Sequence, residues 1–399
     1  MHTHTNPTTR GEKIAIARAR LLTDFQWTPL RDIPTYTIKD GHGVIPAGKT
    51  VTGFPYSSTE ATDKFIGQNV SFETFLSAIP NPESKLYQSG HGALGRCNYG
   101  IVCNGFVRYI LGIPYRVNTQ RWNTLEGMHM VSPKESYKVE DFKLCDILHA
   151  FNDGRNHVAM ITDIIKDQQD TVVGVEVSEG VAPLCKRETY TPEQYYEKYR
   201  PFALWRFDLL EQIPDFNKDE ENILQSGIEM IAPKITVDNG KNSNYFVGEE
   251  ILISVFEESP DVVEVLKEGK VVQEYRTSGR TFFPCKLPAG YYDVRLKTQG
   301  ESVSFCVNSS NIRHEVKENT ITIYANPEDS KSEILYMDFR MAGKEVSGIA
   351  SYEILTEEEI KTGVIVREIP KEAENYKIHF QNPYGTWSHR MIPIYEERI

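Results

Sequence analysis

The stretch NYGIVCNGFVRYILGI, residues 98–113, places a cysteine where an apolar helix begins. Phe106, Val107 and Ile110 fall on one face of a 3.6-residue period, which predicts a short helix packed against a core. Cys103 then lies in the first helical turn, where free backbone N–H groups and the helix dipole favour a negative charge. This position predicts a thiol with a lowered pKa that acts as a nucleophile.

A histidine that can serve as the base opens the next apolar run, HVAMITDII, residues 157–165. The ordinary pKa of histidine, about 6.5, suits proton transfer from a thiol, so His157 is the predicted base. Three polar side chains of the following strand-like run can orient its ring: Glu176, Ser178 and Glu179. Glu176 is the preferred choice because it is flanked by two valines. One residue of slip in the hairpin register changes the answer, so the other two stay open.

Other residues compete for these roles. Cys97 is the rival nucleophile, in a glycine-rich loop before the helix, and His149 and His91 are the alternative bases. Three aromatic residues are candidates for lining a substrate cleft, although packing the domain explains them equally well: Tyr56, Tyr99 and Trp122. Cys285 and Cys306 lie on strand-like runs that can be neighbours, so they are either two buried thiols or a pair.

Four segments carry a resemblance to a known family: YGIVCNGFVRYILG, LCDIL, HVAMITDI and VEVSEG. The first resembles the nucleophile helix of NlpC/P60 cysteine peptidases, whose usual form is Tyr-Gly-x-Asp-Cys-Ser-Gly-Phe/Leu-Val. The others resemble that family's Gly-Asp strand, its histidine strand and the strand that carries the ring-orienting residue. The match covers about residues 85–182. It implies an α+β papain-like cysteine hydrolase domain.

The resemblance also implies roles for single residues. Cys103 matches the nucleophile, His157 the base and Glu176 the third catalytic residue. Asp146 matches a structural aspartate, with Cys145 in place of the family's glycine. At two positions beside the nucleophile the chain departs from the family pattern: Val102 replaces the usual aspartate and Asn104 the usual serine.

The activity implied by the resemblance is hydrolysis of amide bonds in peptidoglycan stem peptides, as an endopeptidase or amidase, through a thioester acyl-enzyme. No metal or organic cofactor is expected. Two other hypotheses remain open: a binding protein of cell walls or surfaces that has lost catalysis, and a cysteine acyltransferase. An extracellular or cell-wall-associated location is implied, although residues 1–13, MHTHTNPTTRGEK, lack the apolar core of a secretory signal.

Beyond residue 229 the pattern is β throughout, with short strand-like runs separated by turn residues, which is typical of β-sandwiches. The predicted organisation places the hydrolase domain with its N-terminal extension at 1–210 and an acidic linker at 211–229. Two Ig-like sandwich modules follow, at 230–309 and 310–399.

Composition excludes several classes of partner. The formal net charge is −12 and no run of Lys or Arg exceeds two, which disfavours binding to nucleic acids. No stretch approaches the roughly 20 apolar residues of a membrane span. The six cysteines and ten histidines show no metal-ligand spacing. The expected partner is peptidoglycan or a peptide substrate, and the oligomeric state is not predicted.

Overall fold

A computed structural model describes most of the chain. The residues that it describes are 2–37, 41–57, 75–76, 78–82, 84–88, 91–92, 99–113, 117, 119–136, 138–151, 156–217, 220–221, 223–224, 235–237, 244–255, 259–279, 281–300, 302–327, 331–341, 349–382, 385–388 and 391–395. They divide between two compact units, residues 1–58 with 86–230 and residues 59–85 with 231–399. The chain is therefore multidomain.

Helices are few in the described residues. The α-helices are α1 (Arg10–Asp24), α2 (Lys85–Gln88), α3 (Cys103–Ile110), α4 (Pro192–Tyr199) and α5 (Glu357–Thr362). Short 3₁₀ helices span Thr119–Thr124, Val139–Asp141 and Leu210–Gln212. Helix α4 begins sharply because Thr191 and Gln194 form a reciprocal capping box and Pro192 occupies the first turn.

The first unit is built on a sheet of seven antiparallel strands, ordered β11-β10-β9-β8-β12-β7 with β1 added to β9. The strands of this unit are β1 (Thr3–His4), β2 (Gln26–Trp27), β3 (Ile33–Thr37), β4 (Gly41–Ile45), β5 (Val51–Thr52), β6 (His91–Gly92), β7 (Met128–Ser132), β8 (Ile147–Ala150), β9 (His157–Lys166), β10 (Val172–Glu179), β11 (Lys186–Tyr190) and β12 (Ala203–Phe207). Helix α4 packs against β10 and β11, whereas α3 packs against β9. Apolar residues of one sheet face and of α4 form a buried core.

The second unit contains two β-sandwich modules with separate cores. Strands of the first module are β13 (Ile235–Val237), β14 (Asn244–Phe246), β15 (Ile251–Val255), β16 (Val262–Lys267), β17 (Lys270–Arg276), β18 (Thr281–Cys285), β19 (Gly290–Leu296) and β20 (Ser302–Asn308). Strands of the second are β21 (Ser310–Lys317), β22 (Thr320–Pro327), β23 (Glu333–Met341), β24 (Ile349–Ile354), β25 (Val364–Glu368), β26 (Ala373–Asn382), β27 (Gly385–Ser388) and β28 (Ile392–Pro393). Each module pairs a three-stranded sheet with a five-stranded one. The expectation of β-sandwich modules is confirmed, while the predicted boundaries at 210, 229 and 309 stay predictions.

The predicted fold class, an α+β papain-like domain followed by two sandwiches, is wrong. Strands dominate the whole described chain, and only three of its α-helices, α1, α3 and α4, reach eight residues. The strands between residues 128 and 207 join one antiparallel sheet. The chain is mostly β, with several sheets that pack as sandwiches.

Candidate active site

Three side chains meet at one end of the seven-stranded sheet. Cys103 is the first residue of α3, His157 the first of β9 and Glu179 the last of β10. The side chains of Cys103 and His157 are hydrogen-bonded to each other. His157 Nε2 lies 2.9 Å from Glu179 Oε2. A row of hydrogen bonds therefore leads from a thiol through an imidazole to a carboxylate.

Glu179, and not Glu176, is the carboxylate that contacts the imidazole. Successive side chains of a strand point to opposite faces of the sheet, so residues 176 and 179 face opposite ways. In the β9–β10 pairing Ser178 lies opposite Met160, and a register shift falls between Glu176 and Val177. This register brings the end of β10 beside the start of β9. The preferred sequence assignment of Glu176 is corrected for this reason.

Glu176 belongs to a polar cluster on the other face. Its carboxylate accepts a hydrogen bond from Thr162 Oγ1 at 2.8 Å and lies 2.9 Å from Arg20 and 2.6 Å from Arg187. Ser178, the remaining candidate, has its Oγ 2.8 Å from the same Thr162 hydroxyl. Both residues are buried. Arg20 links this cluster to α1, and none of these contacts involves Cys103, His157 or Glu179.

The thiol of Cys103 is buried, with 6% of the residue exposed. Burial by itself raises the pKa of this thiol, but hydrogen bonds and charge outweigh that effect. The hydrogen bonds come from the His157 ring, the backbone N–H of Val158 and the Thr119 side chain. The net result is a lowered pKa, so the thiolate is favoured relative to an ordinary cysteine.

His157 complements this shift. Burial alone lowers the pKa of an imidazole, but the hydrogen bonds and charges of Cys103 and Glu179 raise the pKa of His157 to about 10. Because Nε2 faces Glu179, Nδ1 is the ring nitrogen left to exchange a proton with Cys103. The Phe202 ring meets the imidazole edge-on at 6.1 Å between centroids. A thiolate–imidazolium pair is the protonation state that this arrangement favours.

The carboxylate of Glu179 is nearly buried, at 4% exposure of the residue. Burial opposes its charge, yet the hydrogen bond and charge of His157 and the ammonium of Lys198 lower the pKa of Glu179 to about 2. Lys198 Nζ lies 3.1 Å from Oε1, on the side of the carboxylate away from the imidazole. Glu179 is therefore an ionised anchor for the ring.

The start of α3 supplies hydrogen-bond donors beside the thiol. Val102, the residue before the helix, caps no N–H group with its side chain. Asn104 Oδ1 accepts the N–H of Gly105 at 2.9 Å, and its Nδ2 donates to the carbonyl of Val117 at 2.8 Å. The N–H of Cys103 has no acceptor within the helix, because the first helical N–H groups never do. It is suited to hold an oxyanion.

Gly180 lets the end of β10 approach this helix start. A Cβ at this position would lie 3.0 Å from Phe106 Cβ and 3.1 Å from the carbonyl oxygen of Val102. A larger residue here would require its neighbours to shift by a few tenths of an ångström. The glycine therefore sets the distance between the carboxylate strand and the nucleophile helix.

The three aromatic residues predicted to line a cleft have different surroundings. Tyr56 lies close to the nucleophile: burial raises the pKa of its phenol, and the negative charges of Cys103 and Cys185 raise it further. Tyr99 and Trp122 have no exposed surface. A fully buried ring offers nothing to a substrate, so the structure gives these two residues a packing role.

Of the rival candidates, His149 is the one whose side chain the structure describes, and its hydrogen bond goes to neither Cys103 nor His157. His149 lies on β8, and its Nε2 is 2.5 Å from the carbonyl oxygen of Thr119. Burial lowers the pKa of His149, which favours its neutral form. Cys97 and the side chain of His91 lie outside the described residues.

Asp146 was expected to have a structural role, with Cys145 in the place of a glycine. The buried carboxylate of Asp146 forms two hydrogen bonds with Arg206, at 2.7 and 2.8 Å, and accepts the N–H of Lys143 at 2.8 Å. Cys145 has a φ of 68°, in the left-handed region that favours glycine. A cysteine therefore occupies a backbone conformation to which glycine is better suited.

The remaining cysteines and the possible metal ligands give no second site. The five described cysteines are free thiols, so Cys285 and Cys306 are not paired. Within the described ranges, no three His, Cys, Asp or Glu side chains are grouped so that they can hold a metal ion. None of the helices in that part of the chain is long and apolar enough to cross a membrane.

Comparison with known proteins finds no matching family model and no matching curated protein. Some solved structures are similar. One is a fragment of alpha-2-macroglobulin from Escherichia coli (domains NIE-MG1), which is 10% identical to this chain. The match covers 41% of this chain and 97% of the fragment, with a TM-score of 0.18. Fibronectin(III)-like modules of CbhA from Clostridium thermocellum are 14% identical over 40% of this chain and 90% of theirs, with a TM-score of 0.20. The CD2-binding domain of CD58 is 13% identical over 38% of this chain and 95% of that domain, also with a TM-score of 0.20.

The NlpC/P60 assignment made from residues 85–182 is therefore wrong. No family model matches the chain, and the chain is mostly β. The quoted segments are short apolar strands and one short helix, and such patterns recur in unrelated proteins. The chemical role of the site therefore rests on the contacts between Cys103, His157 and Glu179.

Several residues at the site were not predicted from the sequence. Lys198 contacts Glu179 from α4, and Thr119 contacts Cys103 from a 3₁₀ helix. No motif marks either one, because their importance depends on how distant segments pack. The one available signal is the lysine that precedes a buried tyrosine in EQYYEKY, residues 193–199, where Tyr195 and Tyr199 are buried and Tyr196 is exposed.

Proposed function

We propose that this protein is a cysteine hydrolase of amide bonds, with Cys103 as nucleophile, His157 as general base and acid, and Glu179 as the residue that orients the imidazole. The observation that carries the proposal is the continuous row from the thiol of Cys103 through His157 to Glu179 Oε2, 2.9 Å from the ring. Opposed pKa shifts in the first two residues support it, since they favour a thiolate beside an imidazolium.

The reaction begins with attack of the Cys103 thiolate on the carbonyl carbon of the substrate. The oxyanion that forms is held by the N–H of Cys103 at the start of α3. The His157 imidazolium gives its proton to the leaving amine as the C–N bond breaks, which leaves a thioester on Cys103. Neutral His157 then takes a proton from water, the hydroxide attacks the thioester, and the acid is released as the thiolate is regenerated.

The proposed substrate class is a peptide, cleaved at an amide bond. Peptidoglycan stem peptides, suggested by the sequence, are the first substrates to assay, but their support was the corrected family resemblance. An extracellular or cell-wall location stands on the same basis. The acyltransferase alternative uses the same thioester with an amine in place of water. The binding-protein alternative is favoured by the two sandwich modules, which make up the second compact unit.

The test is a comparison of the parent with Cys103→Ala on purified peptidoglycan and on a library of short peptides, with products identified by mass spectrometry. The proposal expects new carboxyl termini from the parent and none from the variant. A product joined to an added amine would favour the acyltransferase. If both proteins bind cell walls and neither releases a product, the result favours the hypothesis of a binding protein without catalytic activity.

A further inference from the structure

Lys198 lies on the far side of the catalytic row. Its ammonium nitrogen is 3.1 Å from Glu179 Oε1, while Oε2 of the same carboxylate faces His157. The two oxygens of one buried carboxylate are thus held by two different partners. A carboxylate bonded at one oxygen alone can rotate about its last side-chain torsion, which is broad. With both oxygens bonded, that rotation is restricted.

The lysine is itself held in place by aromatic rings. Its Nζ lies 4.7 Å from the centre of the Tyr190 ring and 4.9 Å from that of Tyr199, distances typical of cation–π contacts. Nζ donates to the Tyr190 hydroxyl at 2.5 Å and lies 3.6 Å from Glu188 Oε2. The side chain is 38% exposed, while its ammonium group is in contact with Glu179 and Tyr190.

We propose that Lys198 is a positioning residue that acts through Glu179: its ammonium fixes the carboxylate against the His157 imidazole and thereby maintains the Cys103–His157 ion pair. The inference deepens the proposed function and rests on it for its catalytic meaning. It extends the row to a fourth residue, on helix α4, more than 90 positions after the nucleophile.

Charged and titratable groups reach Glu179 from several elements. His157 approaches from β9 and Lys198 and Tyr199 from α4, while Tyr190 approaches from β11 and Cys185 from the segment before it. Of these, Lys198 and the imidazolium are the cations. Loss of the ammonium leaves burial, which disfavours the carboxylate, opposed by His157 alone. The pKa of Glu179 then rises, and the imidazole loses its charged partner at a higher pH.

The test measures alkylation of Cys103 by iodoacetamide from pH 4 to 9, which needs no substrate. Lys198→Met keeps the stem on the tyrosines and removes the charge, Lys198→Gln is a second uncharged variant, and Lys198→Arg restores a cation. Lys186→Met is the matched control, because Lys186 pairs with Glu188 at 2.8 Å in the same sheet. Circular dichroism of each variant checks that it is folded.

In the Met and Gln variants the acid limb of the alkylation profile should move up by about one pH unit, which makes alkylation up to about tenfold slower at a pH on that limb. Lys198→Arg and Lys186→Met should follow the parent. Profiles of the Met and Gln variants that superimpose on the parent's would overturn the proposal, as would an Arg variant that behaves like Met. If alkylation responds as expected while no peptide substrate is cleaved, the positioning role stands and the proposed hydrolase activity fails.

Discussion

His157 Nε2 and Glu179 Oε2 lie 2.9 Å apart, between the first residue of one strand and the last residue of its antiparallel neighbour. The β9–β10 ladder ends next to this contact, at the pair Ser178–Met160, so backbone register brings the two side chains close. The contact leaves Nδ1 for Cys103. The geometry of the candidate site is thus set by one pair of strands and the start of one helix.

Replacement of the two glutamates of β10 separates the catalytic contact from the structural cluster. Glu179→Gln keeps the shape but removes the charge that supports the imidazolium, since hydrogen bonds to an ionised acceptor are about twice as strong as neutral ones. We expect kcat/KM, or the alkylation rate of Cys103 at pH 6, to fall by about 10- to 100-fold.

Glu176→Gln is the matched control for that change. Its carboxylate faces Arg20, Arg187 and Thr162 on the other face of the sheet. We expect a loss of about 1–2 kcal/mol in the free energy of unfolding and an alkylation rate within twofold of the parent's. A larger effect on reactivity from Glu176→Gln than from Glu179→Gln would contradict the assignment of the orienting residue.

The stability of the parent relative to Glu179→Gln should depend on pH. The pKa of Glu179 is lowered from 4.5 to about 2 in the folded state, so its contribution is complete above pH 4.5 and disappears as the pH falls through 2. The pKa of His157 is raised from 6.5 to about 10, so its contribution is complete below pH 6.5 and disappears as the pH rises through 10.

Urea unfolding of both proteins at pH 3, 5.5 and 9 measures this dependence. The difference in the free energy of unfolding should be largest at pH 5.5, about 3 kcal/mol, because loss of one partner of a buried pair costs several kcal/mol. It should be smaller at pH 3 and at pH 9. A difference that does not change with pH would show that the pair is not charged in the folded protein.

The close approach of Gly180 to α3 gives a test of the local packing. Gly180→Ala places a methyl group 3.0 Å from Phe106 Cβ and 3.1 Å from the Val102 carbonyl oxygen. Because backbone has to move, we expect a loss of about 1–3 kcal/mol in stability and slower alkylation of Cys103. The control is Val181→Ala at the next residue, where the stability should change by less. Parent-like stability and reactivity of Gly180→Ala would show that the helix start tolerates displacement.

Asp146 tests the opposite case, a buried carboxylate with a structural role. Asp146→Asn weakens the paired hydrogen bonds to Arg206 and should lower the free energy of unfolding by about 2 kcal/mol. The alkylation profile of Cys103 should keep its shape and midpoint, since the hydrogen bonds of the Asp146 carboxylate go to Arg206 and Lys143. A shifted midpoint would assign Asp146 to the site.

The positions of Cys103 and His157 were predictable because local sequence determines them, while their roles as nucleophile and base stay predictions. The apolar period after Cys103 fixes the helix and hence the place of the thiol in its first turn, and His157 directly precedes a long apolar strand. Glu179 could be predicted only as one of three choices, because a register shift inside the β9–β10 pairing decides which face meets the histidine. Sequence alone does not locate such a shift.

Other features were beyond the sequence for physical reasons. Lys198 and Thr119 reach the site through packing of segments that lie far from Cys103 and His157 in the chain. The burial of Tyr99 and Trp122 depends on tertiary packing. The β-sandwich modules were predictable because each short strand and the turn residues after it can be recognised from the local sequence. The overall fold class was not predictable, because the sequence of the strand-like runs between residues 128 and 207 does not show that they pair in one sheet.

The central claim, that Cys103 is a thiolate nucleophile paired with His157, is tested most directly by the pH dependence of its alkylation. The intact protein is treated with iodoacetamide at each pH, digested, and the modified fraction of each cysteine is measured by mass spectrometry. The account predicts that Cys103 reacts well before the buried Cys145, Cys185, Cys285 and Cys306, with a rate that is already maximal at pH 7, and that His157→Ala abolishes this plateau. A rate for Cys103 that rises only near pH 8.5, the value of an unperturbed thiol, would contradict the claim.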